Sequence, residues 1–219
     1  MLKKIWSLRV NNYWPELCEI SIPLIEYWAD KNGWKFETIS ERLWPEMPVT
    51  FEKLQVGEKG KDASHNLLLD LDILLRPDFY DPSLFLDPAF VASSYGFQAS
   101  IMFKIDKYFA RDQRNIGIVG NCVYTTALTH DLWEIPTDLS HEQILNSTRR
   151  HHIVDEFVIS RNLAKYGLKY SGVSNNPDDY LVHMGCEVLG EEEKKKKVQE
   201  AWNIIDNWSI CFPDIAKLF

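Results

Sequence analysis

The sequence predicts a single α/β domain with a mainly parallel central sheet flanked by helices. Three observations lead there: a strand–helix–strand opening, a later strand-length run with one wholly apolar face, and a length suited to one core. With 219 residues and 45% apolar side chains, the chain can bury one sizeable core, and two full domains would be crowded.

Residues 4–10 form an apolar stretch of strand length, followed by Asn11, Asn12 and a Pro15 suited to the first turn of a helix. Leu17, Ile20, Leu24, Tyr27 and Trp28 then recur at helical spacing, and Asn32-Gly33 is a stop signal. Residues 34–39 alternate as a second strand. Such a βαβ unit implies a parallel sheet with ligands at the carboxyl ends of its strands. Residues 40–65 are polar and hold Pro45, Pro48, Gly57 and Gly60, so they read as loop with one short helix around 51–56. Further on, 116–123 reads as an interior strand interrupted by Gly117 and Gly120, and 140–147 as a helix. A second long helix spans 155–166, closed by Gly167, and short strands at 169–173 and 180–184 flank an Asn175-Asn176-Pro177 turn. After Gly190, three glutamates precede four lysines, and Glu191, Glu192 and Glu193 pair with Lys195, Lys196 and Lys197 at i,i+4 as a solvated helix face.

The net charge of −8 argues against affinity won by neutralising nucleic-acid phosphates. Residues 1–10 lack the apolar core of a signal peptide because Arg9 interrupts it, and no segment reaches transmembrane length. Cys18, Cys122, Cys186 and Cys211 are scattered without a C-x-x-C pair. The expectation is a cytoplasmic, reduced protein.

Residues 66–75 are the most informative. In an extended chain Leu67, Leu69, Leu71, Ile73 and Leu75 lie on one side, and Leu68, Asp70, Asp72 and Leu74 on the other. Two carboxylates side by side in a buried strand repel each other and lose solvation, so something must compensate. A hard divalent cation with oxygen ligands does so and leaves room for a diphosphate. The alternative is a solvated aspartate pair past a strand end; the apolar continuation Ile73-Leu74-Leu75 before Arg76-Pro77 favours placing the pair inside the element.

An apolar strand, D-x-D, an apolar pair and then polar-Pro resembles the GT-A glycosyltransferases, the group of the galactosyltransferases and glycogenin. That resemblance implies a histidine late in the chain, in an H-x-G setting, as third metal ligand, and His183-Met184-Gly185 stands at the expected distance. It also implies Mn²⁺ or Mg²⁺ held by Asp70, Asp72 and His183, a nucleotide-diphosphate-sugar donor, and a glycan, lipid-linked or protein acceptor. Asn11 and Asn12 after the first strand, Lys53, and Asn115 of an Asn-x-Gly turn become donor-binding candidates. Asp155 would hydrogen-bond donor hydroxyls, and Glu156 would face the reacting carbon or the acceptor. Their plainer reading is that acidic residues in a first helical turn favour the macrodipole. Glu156 stands where the retaining group has an amide, which leaves the stereochemistry open, and a carboxylate there could act as general base. His152 and Glu156 have metal-like spacing, though a solvated histidine pair with His151 is the simpler reading. Of the eight tryptophans, Trp44 and Trp133 are the loop-adjacent ones with faces that could hold a sugar.

The domain would run over 1–219, with 1–75 as a nucleotide-binding half ending in D-x-D, 76–186 as the donor-sugar and acceptor half, and 187–219 as a helical tail. Two other functions compete. One is a haloacid-dehalogenase-like phosphatase with Asp70 as nucleophile and Asp178-Asp179 as its later acidic pair. The other is a nucleotide-sugar-binding module without turnover.

Overall fold

Strand β1 (Lys3–Leu8) leads into helix α1 (Pro15–Asn32), and strand β2 (Lys35–Ile39) returns parallel to β1. This computed structural model describes residues 1–97, 99–103, 116–174, 177–185 and 189–219. Helix α1 ends where the sequence predicts, with Gly33 in the left-handed region at φ 68° and its N–H returned to the last turn. Pro23 lies inside α1, where a lost hydrogen bond and a steric clash cost about 3 kcal/mol. Full burial of Leu17, Ile20, Leu24, Ile25 and Trp28 offsets this, since each such side chain contributes about 1.5–3 kcal/mol.

A 3-10 segment, Val49–Gln55, runs into the single turn α2 (Val56–Lys59), both within the stretch read as loop with one short helix. Strand β3 (His65–Leu69) then pairs parallel to β1. Here the structure corrects the sequence reading: Asp70 and Asp72 are not inside one strand. The chain turns at Asp70, with the Ile73 N–H donating to the Asp70 carbonyl (3.2 Å), and resumes as β4 (Ile73–Leu75) in a separate two-stranded sheet. The alternation survives the break, because Leu67, Leu69, Leu71, Ile73 and Leu75 all enter one apolar cluster, while Leu68 enters another.

The next elements are α3 (Pro82–Phe85), β5 (Phe90–Ser93), β6 (Gly96–Phe97), α4 (Ala99–Met102), β7 (Gly117–Ile118) and β8 (Cys122–Thr126). The interior strand expected over 116–123 is thus two strands, β7 and β8, parted at Val119–Asn121. Helix α5 (His141–Ser147) carries the Ser140–Gln143 capping box, and α6 (Val154–Lys165) closes at Gly167, φ 60°. Strands β9 (Lys169–Gly172) and β10 (Leu181–His183) precede α7 (Glu191–Cys211). The acidic–basic run on α7 pairs at i,i+3 rather than i,i+4: Lys194 with Glu191 (3.5 Å) and Lys195 with Glu192 (3.0 Å).

The main sheet has the order β2-β1-β3-β8-β5-β9 and is parallel except for β8, which runs antiparallel to β3 and β5. Period-two alternation buries it on both faces. Trp6, Leu68, Val91 and Val123 meet Phe51, Phe157 and Val158 on one side; Ile5, Leu67, Ala92 and Tyr124 meet Ile25, Trp28 and Phe79 on the other. Helix α7 lies against α1 through Ala201 and Ile205. Among the described residues no helix is long and apolar enough to cross a membrane, and Cys18, Cys122 and Cys211 are free thiols.

Candidate active site at the carboxyl edge of the sheet

Because β8 is antiparallel, its amino end meets the carboxyl ends of β1, β3 and β5 at one edge. The Asp70 N–H donates to the Asn121 carbonyl (2.8 Å), and the Ser94 hydroxyl bonds the Asn121 side chain. The first turn of α6 and the end of β10 arrive at the same edge. Between them opens a cavity of about 450 Å³.

Its charge is concentrated. Asp70, Asp72, Asp155 and Glu156 line it, and among the described lining residues Lys53 is the only lysine or arginine. The buried Lys53 ammonium sits 2.7 Å from Asp70 Oδ1 and 3.3 Å from Asp155 Oδ2, and donates to the Gly120 carbonyl at 3.0 Å. Burial alone would drive its proton off, but the Asp70 and Asp155 carboxylates outweigh burial and hold the ammonium above the ordinary lysine range. Desolvation pushes Asp70 up to about 7 against the pull of Lys53.

Asp72 is reached from two sides. The Tyr13 hydroxyl donates to its Oδ2 (3.0 Å), and His183 Nε2 lies 3.4 Å from the same oxygen. The pairing of β10 with β4 sets His183 opposite Ile73, and the Met184 N–H donates to the Asp72 carbonyl (2.8 Å). The Asp72 carboxylate raises the His183 imidazole above its ordinary value. Asp72 Oδ1 and Asp155 Oδ1 are buried without a hydrogen-bond partner among the described residues. Among these residues no three acidic, histidine or cysteine side chains form a ready metal-binding group: Asp72 and His183 come together, while Asp70 is turned to Lys53.

Glu156 accepts from the Gly120 N–H (3.1 Å), and burial and the neighbouring Asp155 push its carboxyl up to about 8. Glu156 keeps, between about pH 4.5 and 8, a proton that it gives up when unfolded, so its contribution to stability is full below that window and lost as pH rises through about 8. The Glu156→Gln variant is therefore expected to lose less melting temperature than the native chain over that window; equal losses would show that Glu156 titrates normally.

Gly120 is required by close approach. A Cβ there would lie 2.5 Å from Asp155 Oδ2 and 3.3 Å from Glu156 Cγ. Gly120→Ala should destabilise the fold by about 1–3 kcal/mol and displace both carboxylates, read as a lower thermal midpoint together with weakened ligand binding. An unshifted midpoint would contradict this packing.

The other sequence candidates divide. Lys53, Asp155 and Glu156 line the cavity. Asn11 and Asn12 do not: both are exposed turn residues in the left-handed region (φ 56° and 52°), while their neighbours Val10 and Tyr13 do line it. Asn115 lies outside the described residues. His151 is exposed, but His152 is half-buried and lines the cavity, so the two are not a solvated pair. Trp133 is core, 1% exposed, its Nε1–H donating to Thr125 Oγ1 (2.9 Å); Trp44 is half-buried, edge-on to Phe51. Sequence reading missed Tyr13, which lies between periodic segments, and Asn121. It read Gly120 only as a strand break.

No protein-family model matches the chain, and no curated protein matches it significantly. Among solved structures it is similar to a glycosyltransferase involved in glycosylation of the major capsid of PBCV-1, at 13% identity and TM-score 0.54, over 90% of this chain and 98% of that one. Two more distant likenesses are the galactosyltransferase LgtC in complex with donor and acceptor sugar analogues (14%, TM-score 0.46, 77% and 73%) and the catalytic domain of Drosophila beta1,4galactosyltransferase 7 (13%, TM-score 0.47, 90% and 80%). The chain has the GT-A fold, that of nucleotide-sugar transferases.

Proposed function

We propose that the protein is a metal-dependent glycosyltransferase, moving a sugar from a nucleotide-diphosphate-sugar donor to an acceptor. The observation that supports this best is the shortage of positive charge in the cavity: four carboxyl groups, Glu156 among them pushed up to about 8, share one lysine among the described lining residues, with Asp72 Oδ1 and Asp155 Oδ1 buried and unpartnered among the described residues. A divalent cation suits that deficit. Asp72 and His183, with Asp70, would hold it, and the nitrogen ligand favours Mn²⁺ over Mg²⁺. When bound, such an ion neutralises charge growing on a diphosphate leaving group.

The chain's own side chains would do the remaining work. Lys53 fixes Asp70 and Asp155 relative to one another, which orients Asp155 toward donor hydroxyls. Tyr13 steadies Asp72. Glu156, held by the Gly120 N–H, would face the reacting carbon or take the proton of the acceptor hydroxyl. The turn at Asn11 and Asn12, beside the lining residues Val10 and Tyr13, would meet the nucleotide, as would Asn115. In this reading 1–75 is the nucleotide half of one domain, 76–186 the sugar and acceptor half, and 187–219 a tail braced on α1.

Calorimetry with UDP, GDP and dTDP tests the binding step: at least one should bind with Mn²⁺ and lose that affinity with chelator. Equal affinity in both conditions would count against the reading. His183→Gln should weaken the Mn²⁺-dependent binding about tenfold or more, and an unchanged affinity would remove His183 from the ligand set.

The phosphatase reading fares worse on a specific point. Asp178 and Asp179 lie in the turn Pro177–Asp179, outside the residues that line the cavity, and the D-x-D follows a whole βαβ unit. A binding module without turnover would need Asp70, Asp72 and His183 to hold the metal, but would have no use for a half-buried Glu156 carboxyl at the same cavity.

A further inference from the structure

The cavity has two different ends. Leu8 and Val10 line it at the carboxyl end of β1, while Phe97, Met102, Val119 and Ile153 line it beside the first turn of α6. This second group comes from separate segments that the fold ties together around Glu156. Ile153 immediately precedes α6. Val119 adjoins Gly120, whose N–H donates to Glu156 Oε1 (3.1 Å), and its own N–H donates to the Tyr95 carbonyl (3.1 Å). Phe97 pairs with Gly117 across β6 and β7. Its ring lies 5.5 Å from that of Phe103, which in turn lies 5.5 Å from that of Phe157 on α6. Met102 ends α4, and its carbonyl accepts from the Arg149 N–H (3.3 Å) on the approach to α6.

Phe97, Met102 and Val119 are half-buried, so among the described residues this wall keeps apolar surface open to the cavity. A sugar hydroxyl laid on it gives up hydrogen bonds to water and gains none, apart from the weak thioether acceptor of Met102. A hydrocarbon group laid there gains by leaving water. At the edge of the wall stands the Glu156 carboxyl, the group that would meet a reacting hydroxyl. Wall and carboxyl together fit a molecule with a hydroxyl at one end and hydrocarbon next to it. They fit poorly a free oligosaccharide, which carries hydroxyls on every side.

We propose that the acceptor is amphiphilic: a hydroxyl presented to Glu156 and carried on an alkyl chain that packs on Phe97, Met102, Val119 and Ile153, as in a lipid-linked acceptor. The inference rests on the transferase reading for the role of the hydroxyl, and adds the chemical class of the acceptor. In the transfer the acceptor oxygen bonds the anomeric carbon of the sugar, the nucleoside diphosphate leaves with the electrons of the broken C–O bond, and the hydroxyl proton passes to ionised Glu156.

Binding is tested on the full chain without Mn²⁺ or nucleotide, by calorimetric titration with methyl, phenyl and n-octyl β-glucosides and β-galactosides, the octyl compounds below their micelle concentrations. Covering one methylene fully is worth about fourfold in affinity. At least one octyl glycoside should therefore bind about tenfold or more tighter than its methyl counterpart, and should shift the Met102 methyl resonance saturably. Met102→Gln and Val119→Thr nearly keep side-chain volume and add polarity, so each should cut the octyl-to-methyl affinity ratio about threefold or more with a native circular dichroism spectrum. With any donor that the native chain hydrolyses, bound octyl glycoside should suppress release of free sugar to water, because it occupies the acceptor side. Absence of donor hydrolysis counts against the transferase reading and leaves the binding comparison standing. The proposal is overturned if methyl and octyl glycosides bind alike, if phenyl glycosides bind tighter than octyl ones, if neither variant lowers the ratio, or if bound octyl glycoside leaves free-sugar release unchanged.

Discussion

Asp72→Asn should abolish Mn²⁺-dependent binding of a nucleoside diphosphate, a loss of about a hundredfold or more, while the fold persists. Loss of outer-sphere support alone typically costs 10- to 100-fold in metal affinity, and Asp72 is proposed as a direct ligand. Its Oδ1 is buried without a partner among the described residues, and its Oδ2 is already approached by Tyr13 and His183. Asparagine removes the charge and keeps the volume, and it retains a carbonyl oxygen for the Tyr13 hydroxyl. The melting temperature should therefore stay close to native, or rise, because one of four crowded carboxylates has gone. Calorimetry and thermal denaturation on the same preparation read both parts. Unchanged affinity would end the assignment of Asp72 as a ligand, and a collapsed melting temperature would make it a structural group instead.

Glu156→Gln should lower turnover by about 10²- to 10⁴-fold, the range for loss of a general base, with nucleotide affinity retained. The residue lines the cavity on the α6 side and contacts Gly120, whereas the metal-binding proposal draws on Asp70, Asp72 and His183. A base must be ionised to work, and burial pushes this carboxyl up to about 8. The native rate should thus rise with pH through about 8, and that limb should vanish in the glutamine variant. A variant that keeps the limb and the rate would assign the chemistry to another group.

Much of the fold was legible because hydrophobic period and chain punctuation agree. Pro15 and Gly33 bound α1 in sequence and in structure, and the Ser140–Gln143 capping box opens α5. The D-x-D segment was half legible. Alternation of leucines assigned the right residues to the right face, yet it could not register that the chain turns at Asp70, because turn and strand there share the same apolar neighbours. Turning places both aspartates between β3 and β4 and lets Asp70 meet Lys53 from a segment 17 residues earlier.

Lys53 shows the converse limit. Nothing local marks a lysine in a 3-10 segment as the partner of Asp70 and Asp155; only the packing of that segment under α6 creates the triad. Tyr13 and Gly120 escaped for a related reason. Their roles rest on one distance each, 3.0 Å to Asp72 and a close approach to Asp155, and neither leaves a periodic trace.

Which bond the carboxylates help to break is the most direct question. Incubation with Mn²⁺ and a panel of UDP-, GDP- and dTDP-sugars, without acceptor, should release free sugar and nucleoside diphosphate from at least one donor, as water takes the acceptor position at low efficiency. Release of inorganic phosphate from simple phosphate esters, with phosphate trapped covalently on Asp70, would contradict glycosyl transfer and establish the phosphatase reading in its place.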